Sequence, residues 1–138
     1  MICPIRKIAL GDRNRILSDW RNVFTHDTRL SIAPWTYQMT MGPCVEKIVD
    51  TSDILIAHDS EEVGLIYGWI SYHDDVLYMV FVRRDFRRFG IGSSLIDAAF
   101  GNPLPKLKFV TKTKDMRKIP RLIEKWKLTT YCPWLLKG

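Results

Sequence analysis

A run of seven consecutive apolar residues, Val76 to Val82, constrains the fold of this chain more than any other segment. The run follows the acidic pair Asp74-Asp75 and is followed by the basic pair Arg83-Arg84. An uninterrupted apolar run of this length is typical of a strand that is buried on both faces of a sheet. The run therefore predicts a central strand with a layer of structure above it and another below it.

The segments before this run predict two more strands. Ile54 to Ala57 is apolar and ends in a polar turn, and Val63 to Tyr72 is rich in β-branched and aromatic residues. The turn His73-Asp74-Asp75 connects the latter to the central strand. Short turns between consecutive strands predict an antiparallel meander. Ile5 to Ala9 is a further candidate for an edge strand.

Helical periodicity appears on both sides of the meander. Between Gly11 and Phe24, apolar residues recur every three or four positions, and Asp19 is expected on the polar side with the neighbouring arginines. A second helix is expected from Gly92 or Ser93 to the stop signal Gly101-Asn102-Pro103. A strand at 106–113, a helix from Pro120 and closing strands at 128–136 complete one α/β domain over residues 1–138. Its sheet is mixed and mostly antiparallel, with helices flanking it.

Composition excludes several classes of protein. No apolar run approaches the ~20 residues that span a bilayer, and the first residues lack the pattern of a secretory signal. The three cysteines are widely spaced, without a Cys-x-x-Cys pair. This usage argues against a disulfide framework and a zinc site, and it favours the reducing cytoplasm. We expect no membrane partner and no metal.

The charge balance suggests an anionic partner or a solubilising surface. Lys and Arg number 21 and Asp and Glu 15, which gives a net charge of +6. Four of the arginines are close together at positions 83, 84, 87 and 88, and a second basic stretch runs from Lys106 to Lys127. Such positions favour binding of a phosphorylated cofactor or of nucleic acid.

Two glycines follow the arginines and open the second helix. Gly90 and Gly92 allow the backbone to approach a ligand closely, and the first amides of a helix point outward without an internal acceptor. This combination predicts an anion site suited to phosphate. It is not a dinucleotide fingerprint, because Leu95 stands at the third glycine position, and no Gly-Lys-Ser/Thr follows as a P-loop would require.

The segment from Val82 to Leu95 resembles the acetyl-CoA motif of the GNAT superfamily of N-acetyltransferases. That motif is a strand followed by Arg/Gln-x-x-Gly-x-Gly/Ala and a helix. Arg87, Gly90 and Gly92 stand at its three defining positions, whereas Arg84 stands where the family often has Pro. The order of strands and helices agrees with the GNAT fold over nearly the whole chain.

The resemblance implies a division of roles around acetyl-CoA as co-substrate. Backbone amides would bind the CoA pyrophosphate, with charge added by Arg87 or Arg88. The backbone at the end of the apolar run would pair with the pantetheine arm and polarise the thioester carbonyl. The amide-bearing residues are Arg88, Gly90, Ile91, Gly92 and Ser93, and the strand residues are Val80, Phe81 and Val82. The acceptor amine would attack the acetyl group directly.

The resemblance is weaker at the positions of acid and base. Ile123 stands where the family often has a Tyr that protonates the leaving thiolate, so Tyr131 or Tyr78 would have to serve, or the thiolate leaves unaided. Asp75 is the candidate base, because it is one residue from the family's carboxylate position at Val76. The alternative for Asp75 is a solvated hairpin turn.

The resemblance implies as acceptor a primary amine on a small molecule or a protein, and the basic surface disfavours polycations. Trp35, Tyr37, Met39 and Met41 form either its pocket or part of the core, whereas Cys44 and Cys132 are expected to be incidental thiols. Two other functions remain open: a module that binds CoA or a protein partner without turnover, and a nucleic-acid binder that uses the basic segments. A homodimer is compatible with exposed aromatic residues, by analogy with other proteins of this fold.

Overall fold

The structure, a computed structural model, describes residues 3–26, 42–101, 109–111 and 129–131. Within these residues, six strands form one sheet whose spatial order is the order along the chain. The strands are β1 (Ile5–Lys7), β2 (Asp53–His58), β3 (Ile66–His73), β4 (Val76–Val82), β5 (Phe109–Thr111) and β6 (Thr129–Tyr131). The helices are α1 (Arg13–His26), α2 (Gly42–Thr51) and α3 (Ile91–Phe100).

The sheet is mixed, as the sequence predicted. Strands β1 to β4 pair antiparallel with their neighbours, whereas β5 lies parallel to β4 and β6 parallel to β5. The bounds of β4 match the apolar run Val76–Val82. Strand β3 begins at Ile66 rather than at Val63, because Val63 lies in the β2–β3 turn, where 57% of it is exposed. The predicted meander and edge strand are confirmed.

Helix α2 was not predicted, although the sequence carries a signal for it. Pro43 stands in its first turn, where the missing N–H costs nothing. Val45, Ile48 and Val49 follow at helical spacing and are buried. The signal is short and begins directly after the aromatic connection, which makes it easy to miss.

Among the described residues, the core consists of two apolar clusters, one on each face of the sheet. Helices α1 and α2 cover one face, where Trp20 and Val45 pack against Trp69 and Met79. Helix α3 covers the other face, where the fully buried Leu95 belongs to one cluster with several strand residues. These strand residues are Ala57, Tyr67, Ile70 and Leu77. Helices on both faces give the α/β architecture that the sequence predicted.

The expected layer on each face of β4 is confirmed, because Leu77 packs in the cluster with α3 and Met79 packs in the cluster with α1 and α2. Leu77 and Met79 are buried, whereas the other five residues of β4 are half-buried.

Some expectations fall on residues outside the described ranges. These are the aromatic connection with Trp35, Tyr37, Met39 and Met41, the helix from Pro120 with Ile123, and Cys132. In the part of the chain that the structure describes, no helix has the length and apolarity to cross a membrane.

Candidate functional site

A β-bulge divides β4 into two halves. Ser71 of β3 pairs with Met79, and the next residue, Tyr72, pairs with Leu77, which makes Tyr78 the additional residue of the bulge. On the other edge of β4, the described pairing with β5 covers Val76 and Leu77. Beyond the bulge, therefore, β4 keeps β3 on one side and has no described strand on the other.

The peptide groups beyond the bulge alternate between β3 and this open edge. The Arg83 N–H donates to the carbonyl oxygen of Tyr67 at 2.8 Å, and the carbonyl oxygen of Phe81 lies against Gly68 of β3. Since successive peptide groups of a strand point in opposite directions, those of Val80 and Val82 face the open edge. The hydrogen bond of the Val82 carbonyl oxygen agrees with this direction, because its donor is the Arg87 Nε at 2.9 Å.

The loop after β4 leads into the amino end of α3. One 3₁₀ turn, Arg84–Phe86, is followed by Arg88 and Gly90, whose φ angles are +70° and +79°. Gly90 is the residue type that accepts this left-handed conformation most readily. It precedes α3, whose first hydrogen bond runs from the Ser94 N–H to the Gly90 carbonyl oxygen at 3.0 Å.

This helix end has the properties of an anion site. The amides of Ile91, Gly92 and Ser93 precede the first hydrogen bond of the helix, and no side chain of Gly90 can cap them. No acidic residue stands in the first turn of α3, so the positive end of the helix dipole is not neutralised there. Three of the predicted amide-bearing residues, Ile91, Gly92 and Ser93, therefore lie together at this helix end.

The four arginines have different positions. Arg84, Arg87 and Arg88 are exposed, and the Arg87 side chain bridges the loop and the end of β4. Arg83 is half-buried, and its guanidinium carbon lies 5.9 Å from the centre of the Phe86 ring, within range of a cation–π contact. Arg83 and Arg87 thus hold the loop, which leaves Arg84 and Arg88 at its surface.

A network of hydrogen bonds and ring contacts connects the β2–β3 turn with the loop after β4. The Phe86 ring lies 4.4 Å from that of Tyr67, whose hydroxyl donates to Asp59 Oδ1. The other oxygen of Asp59 accepts from the backbone N–H groups of Glu61 and Glu62, at 3.0 and 2.8 Å. The sequence placed Asp59 only in a polar turn, and no local pattern connects it with the loop.

The pKa values of this network follow from its hydrogen bonds. The bond to Asp59, followed by burial, raises the pKa of Tyr67 to about 12. The Glu62 backbone N–H and then the Tyr67 hydroxyl lower the pKa of the Asp59 carboxyl. At neutral pH the pair is therefore a protonated phenol bound to an ionised carboxylate.

The predicted base lies apart from the helix end. Asp75 is half-buried in the two-residue β3–β4 turn, next to Asp74, whose φ is +50°. It precedes Val80 by five residues, which corresponds to about 17 Å along a strand. Tyr131 ends β6 opposite Thr111 of β5, and its side chain lies outside the described part of the chain. The structure therefore does not bring Asp75 and the α3 amides together.

Another carboxylate is found on the face covered by α1. Asp19 was expected on the polar side of its helix, but its Oδ2 accepts a hydrogen bond from the indole Nε1 of the buried Trp69 at 3.0 Å. Burial raises the pKa of the Asp19 carboxyl, against the lowering effects of the Trp69 bond and of the charges of Arg15 and Arg83. Since α1 packs against the sheet, residues at the border of its apolar stripe become half-buried.

Solved structures share the fold of this chain. No protein-family model matches it, and a search among curated proteins finds nothing similar. A GCN5-related N-acetyltransferase from Ralstonia eutropha superposes with a TM-score of 0.64 at 11% identity, covering 88% of this chain and 91% of its own. The chain has the GNAT fold. Apo YjaB from Escherichia coli gives a TM-score of 0.63 at 14% identity, covering 91% of this chain and 80% of its own.

One GNAT-fold match was solved with its ligand. The PaiA N-acetyltransferase of Thermoplasma acidophilum, in complex with coenzyme A, gives a TM-score of 0.51 at 14% identity, with 72% of this chain and 70% of its own covered. At such identities the likeness concerns the fold. The resemblance read from Arg87, Gly90 and Gly92 and the overall architecture therefore agree on the GNAT fold.

Proposed function

We propose that this protein is an acetyl-CoA-dependent N-acetyltransferase that transfers an acetyl group to a primary amine. The observation that carries the proposal is the continuity of two features. An open strand edge, Tyr78 to Val82, runs directly into a loop and helix end suited to an anion. A ligand with an amide-bearing arm and a pyrophosphate would match both parts at once.

The pyrophosphate would bind at the amino end of α3. The amides of Ile91, Gly92 and Ser93 can donate hydrogen bonds to its oxygens, and the helix dipole favours negative charge there. Arg88 adds positive charge from the adjoining loop, where it is exposed. Arg87 contributes mainly by fixing the loop against the Val82 carbonyl.

The pantetheine arm would lie along the open edge of β4 as an additional strand. Its amides can pair with the peptide groups of Val80 and Val82 that face this edge. The Val80 N–H, which faces this edge, is the donor that we assign to the thioester carbonyl. A fixed N–H directed at this oxygen stabilises the negative charge that develops on it.

In the reaction, the amine nitrogen attacks the thioester carbon, the C–N bond forms, and the C–S bond breaks to release the CoA thiolate. The nitrogen loses a proton and the thiolate takes one up. We retain Asp75 as the base and Tyr131 as the acid as proposals. At about 17 Å along the strand from Val80, Asp75 would need water molecules to relay the proton. The pH–rate profile of Asp75→Asn tests this, since loss of a base removes the acidic limb.

The first experiment is thermal unfolding with acetyl-CoA, CoA and ATP. Acetyl-CoA at ~100 times its Kd should stabilise the fold by about 2.7 kcal/mol, which raises the Tm by roughly 5–10 °C for a domain of this size. A shift confined to CoA species supports the proposal. Equal shifts with ATP, or none with acetyl-CoA, would contradict it.

A matched pair of charge variants locates the site. Gly92→Asp adds a carboxylate in the first turn of α3, where a new Cβ meets Val82 at an ordinary 3.7 Å. An acid there favours the helix but repels phosphate, so acetyl-CoA binding should fall by at least tenfold without loss of Tm. Gly64→Asp adds the same charge in the open β2–β3 turn, with nothing within 4 Å, and should bind normally.

A second candidate function is a CoA-binding module without turnover. It is favoured by Ile123 at the family's Tyr position and by the distance between Asp75 and the open edge. Acetyl-CoA binding without thiol release across a broad panel of amines would support this module. Thiol release with any amine, lost in Gly92→Asp, would support the enzyme.

A further inference from the structure

Helix α1 carries a carboxylate at a position where a helix that packs on a sheet usually has an apolar residue. Asp19 follows Ile16 by three residues and precedes Val23 by four, and both pack in the cluster on this face. Residues at these spacings share a side of the helix. Asp19 is therefore half-buried between α1 and the sheet, where an ionised group costs free energy unless it is compensated.

The compensation within the described residues is incomplete. The Trp69 indole is a neutral donor and bonds only Oδ2, at 3.0 Å. Arg15 and Arg83 act on the carboxylate through space, but in the described part of the chain neither forms an ion pair with it. A carboxylate can accept about four hydrogen bonds, and Oδ1 accepts none from the described residues. The ionised Asp19 carboxylate can therefore still accept hydrogen bonds and pair with a positive charge.

The position of Asp19 relates it to the open edge of β4. The Trp69 ring, which bonds Asp19, lies 5.7 Å from the Phe81 ring and stacks on it. Phe81 is half-buried and stands between Val80 and Val82, whose peptide groups face the open edge. Two side-chain contacts thus separate the carboxylate from this edge, on the face opposite to α3.

We propose that Asp19 binds the ammonium group of the acceptor and that the acceptor is a primary monoamine with an apolar body. This inference rests on the proposed function, since it assigns the acceptor side of the same strand. The carboxylate would neutralise one positive charge, and Phe81 would contact the apolar part. Arg15 and Arg83 disfavour a second positive charge nearby, which excludes diamines as good acceptors.

Loss of this carboxylate should leave the fold intact. Burial raises the Asp19 pKa, so the ionised group opposes folding at pH values above that pKa, and protonation at lower pH removes this cost. Asp19→Asn keeps an acceptor for Trp69 and removes the charge. Its Tm at pH 7 should equal or exceed that of the wild type. If the carboxylate served only stability, the Tm would fall.

The binding test follows the Trp69 indole N–H in ¹⁵N NMR spectra, with and without saturating acetyl-CoA. The probe is 2-phenylethylamine, and its uncharged counterpart is 2-phenylethanol. We expect the amine to shift the indole signal and the alcohol to leave it in place. Asp19→Asn should weaken amine binding by at least tenfold. Asp97→Asn, which changes an exposed carboxylate on α3, should bind the amine like the wild type.

The kinetic test separates the two substrates. In Asp19→Asn, the KM for the amine should rise by at least tenfold while the KM for acetyl-CoA stays unchanged. Equal amine binding by Asp19→Asn and wild type, or an indole signal that no amine moves, would overturn the assignment. Amine binding at Asp19 in a protein that does not bind acetyl-CoA would refute the proposed function and leave the assignment standing.

Discussion

The two ends of β4 belong to one strand but differ in what surrounds them. At the amino end, Val76 and Leu77 pair with β3 on one side and with β5 on the other, and a two-residue turn closes the hairpin. At the carboxyl end, Val82 pairs with Gly68 of β3 and accepts a hydrogen bond from an arginine side chain at its other edge. The bulge at Tyr78 separates the two ends.

The comparison shows how one strand serves both the core and a ligand. Backbone groups that two neighbouring strands satisfy contribute to stability and are not accessible to a ligand. Backbone groups at an open edge can bind an extended partner, which is a hazard unless a ligand or a side chain covers them. Here the Arg87 side chain covers part of the edge, and the rest faces the proposed arm of acetyl-CoA.

The largest expected effect comes from disturbing the contact between β3 and β4, since β3 pairs with both ends of β4. A Cβ at Gly68 would overlap the Phe81 carbonyl oxygen and lie 3.0 Å from Val82 Cα, both of them backbone atoms. Gly68→Ala should therefore cost about 3 kcal/mol, and the Tm should fall by ~10 °C. Gly64→Ala, with nothing within 4 Å, is the control. Equal Tm values for the two variants in thermal unfolding would contradict the close approach.

An intermediate effect is expected from removing the side-chain hydrogen bond at the carboxyl end of β4. Arg87→Met removes the hydrogen bond to the Val82 carbonyl, whereas Arg84→Met removes the same charge from an exposed residue of the adjoining 3₁₀ turn. A hydrogen bond from a charged group contributes about 1.5 kcal/mol. By calorimetry, we expect acetyl-CoA to bind Arg87→Met roughly tenfold more weakly than Arg84→Met. If both variants lose the same affinity, only the net charge matters.

The smallest effect is expected from loosening the support of the loop. Tyr67→Phe keeps the ring that contacts Phe86 and removes the hydrogen bond to Asp59. The Tm should fall by only a few degrees at pH 7, and acetyl-CoA affinity should change less than in Arg87→Met.

The pH dependence of this variant checks the hydrogen bond. The bond lowers the Asp59 pKa, so its contribution to stability is present above the ordinary carboxyl pKa and is lost as the pH falls through the lowered value. The Tm difference between wild type and Tyr67→Phe should therefore shrink between pH 7 and pH 2. A constant difference would mean that the lost hydroxyl acts through packing alone.

Most of the sheet and of the loop between β4 and α3 could be predicted from the sequence, because their signals are local. An apolar run gave the bounds of β4, Gly101 gave the end of α3, and Arg87, Gly90 and Gly92 gave the resemblance to the GNAT family. The expected start of α3 was one or two residues late, since glycine and serine are frequent caps. Helix α2 was missed even though its local signal was present.

The remaining features depend on contacts between distant parts of the chain. Asp59 reaches the loop through Tyr67 and Phe86, and Asp19 reaches β4 through Trp69, which is fifty residues away in sequence. The helical periodicity of the sequence placed Asp19 among the polar residues. Periodicity shows which side of a helix is apolar, but it does not show how far around the helix the buried surface extends.

The sequence by itself determined the strands, the loop and the glycines at the helix start, because turn chemistry and apolar runs act between neighbouring residues. Only the tertiary structure decided that β4 bulges at Tyr78, that the described pairing with β5 ends before this bulge, and that Arg87 bonds Val82. These features arise from the register between strands, which is set by packing on both faces of the sheet and not by the residues of β4 alone.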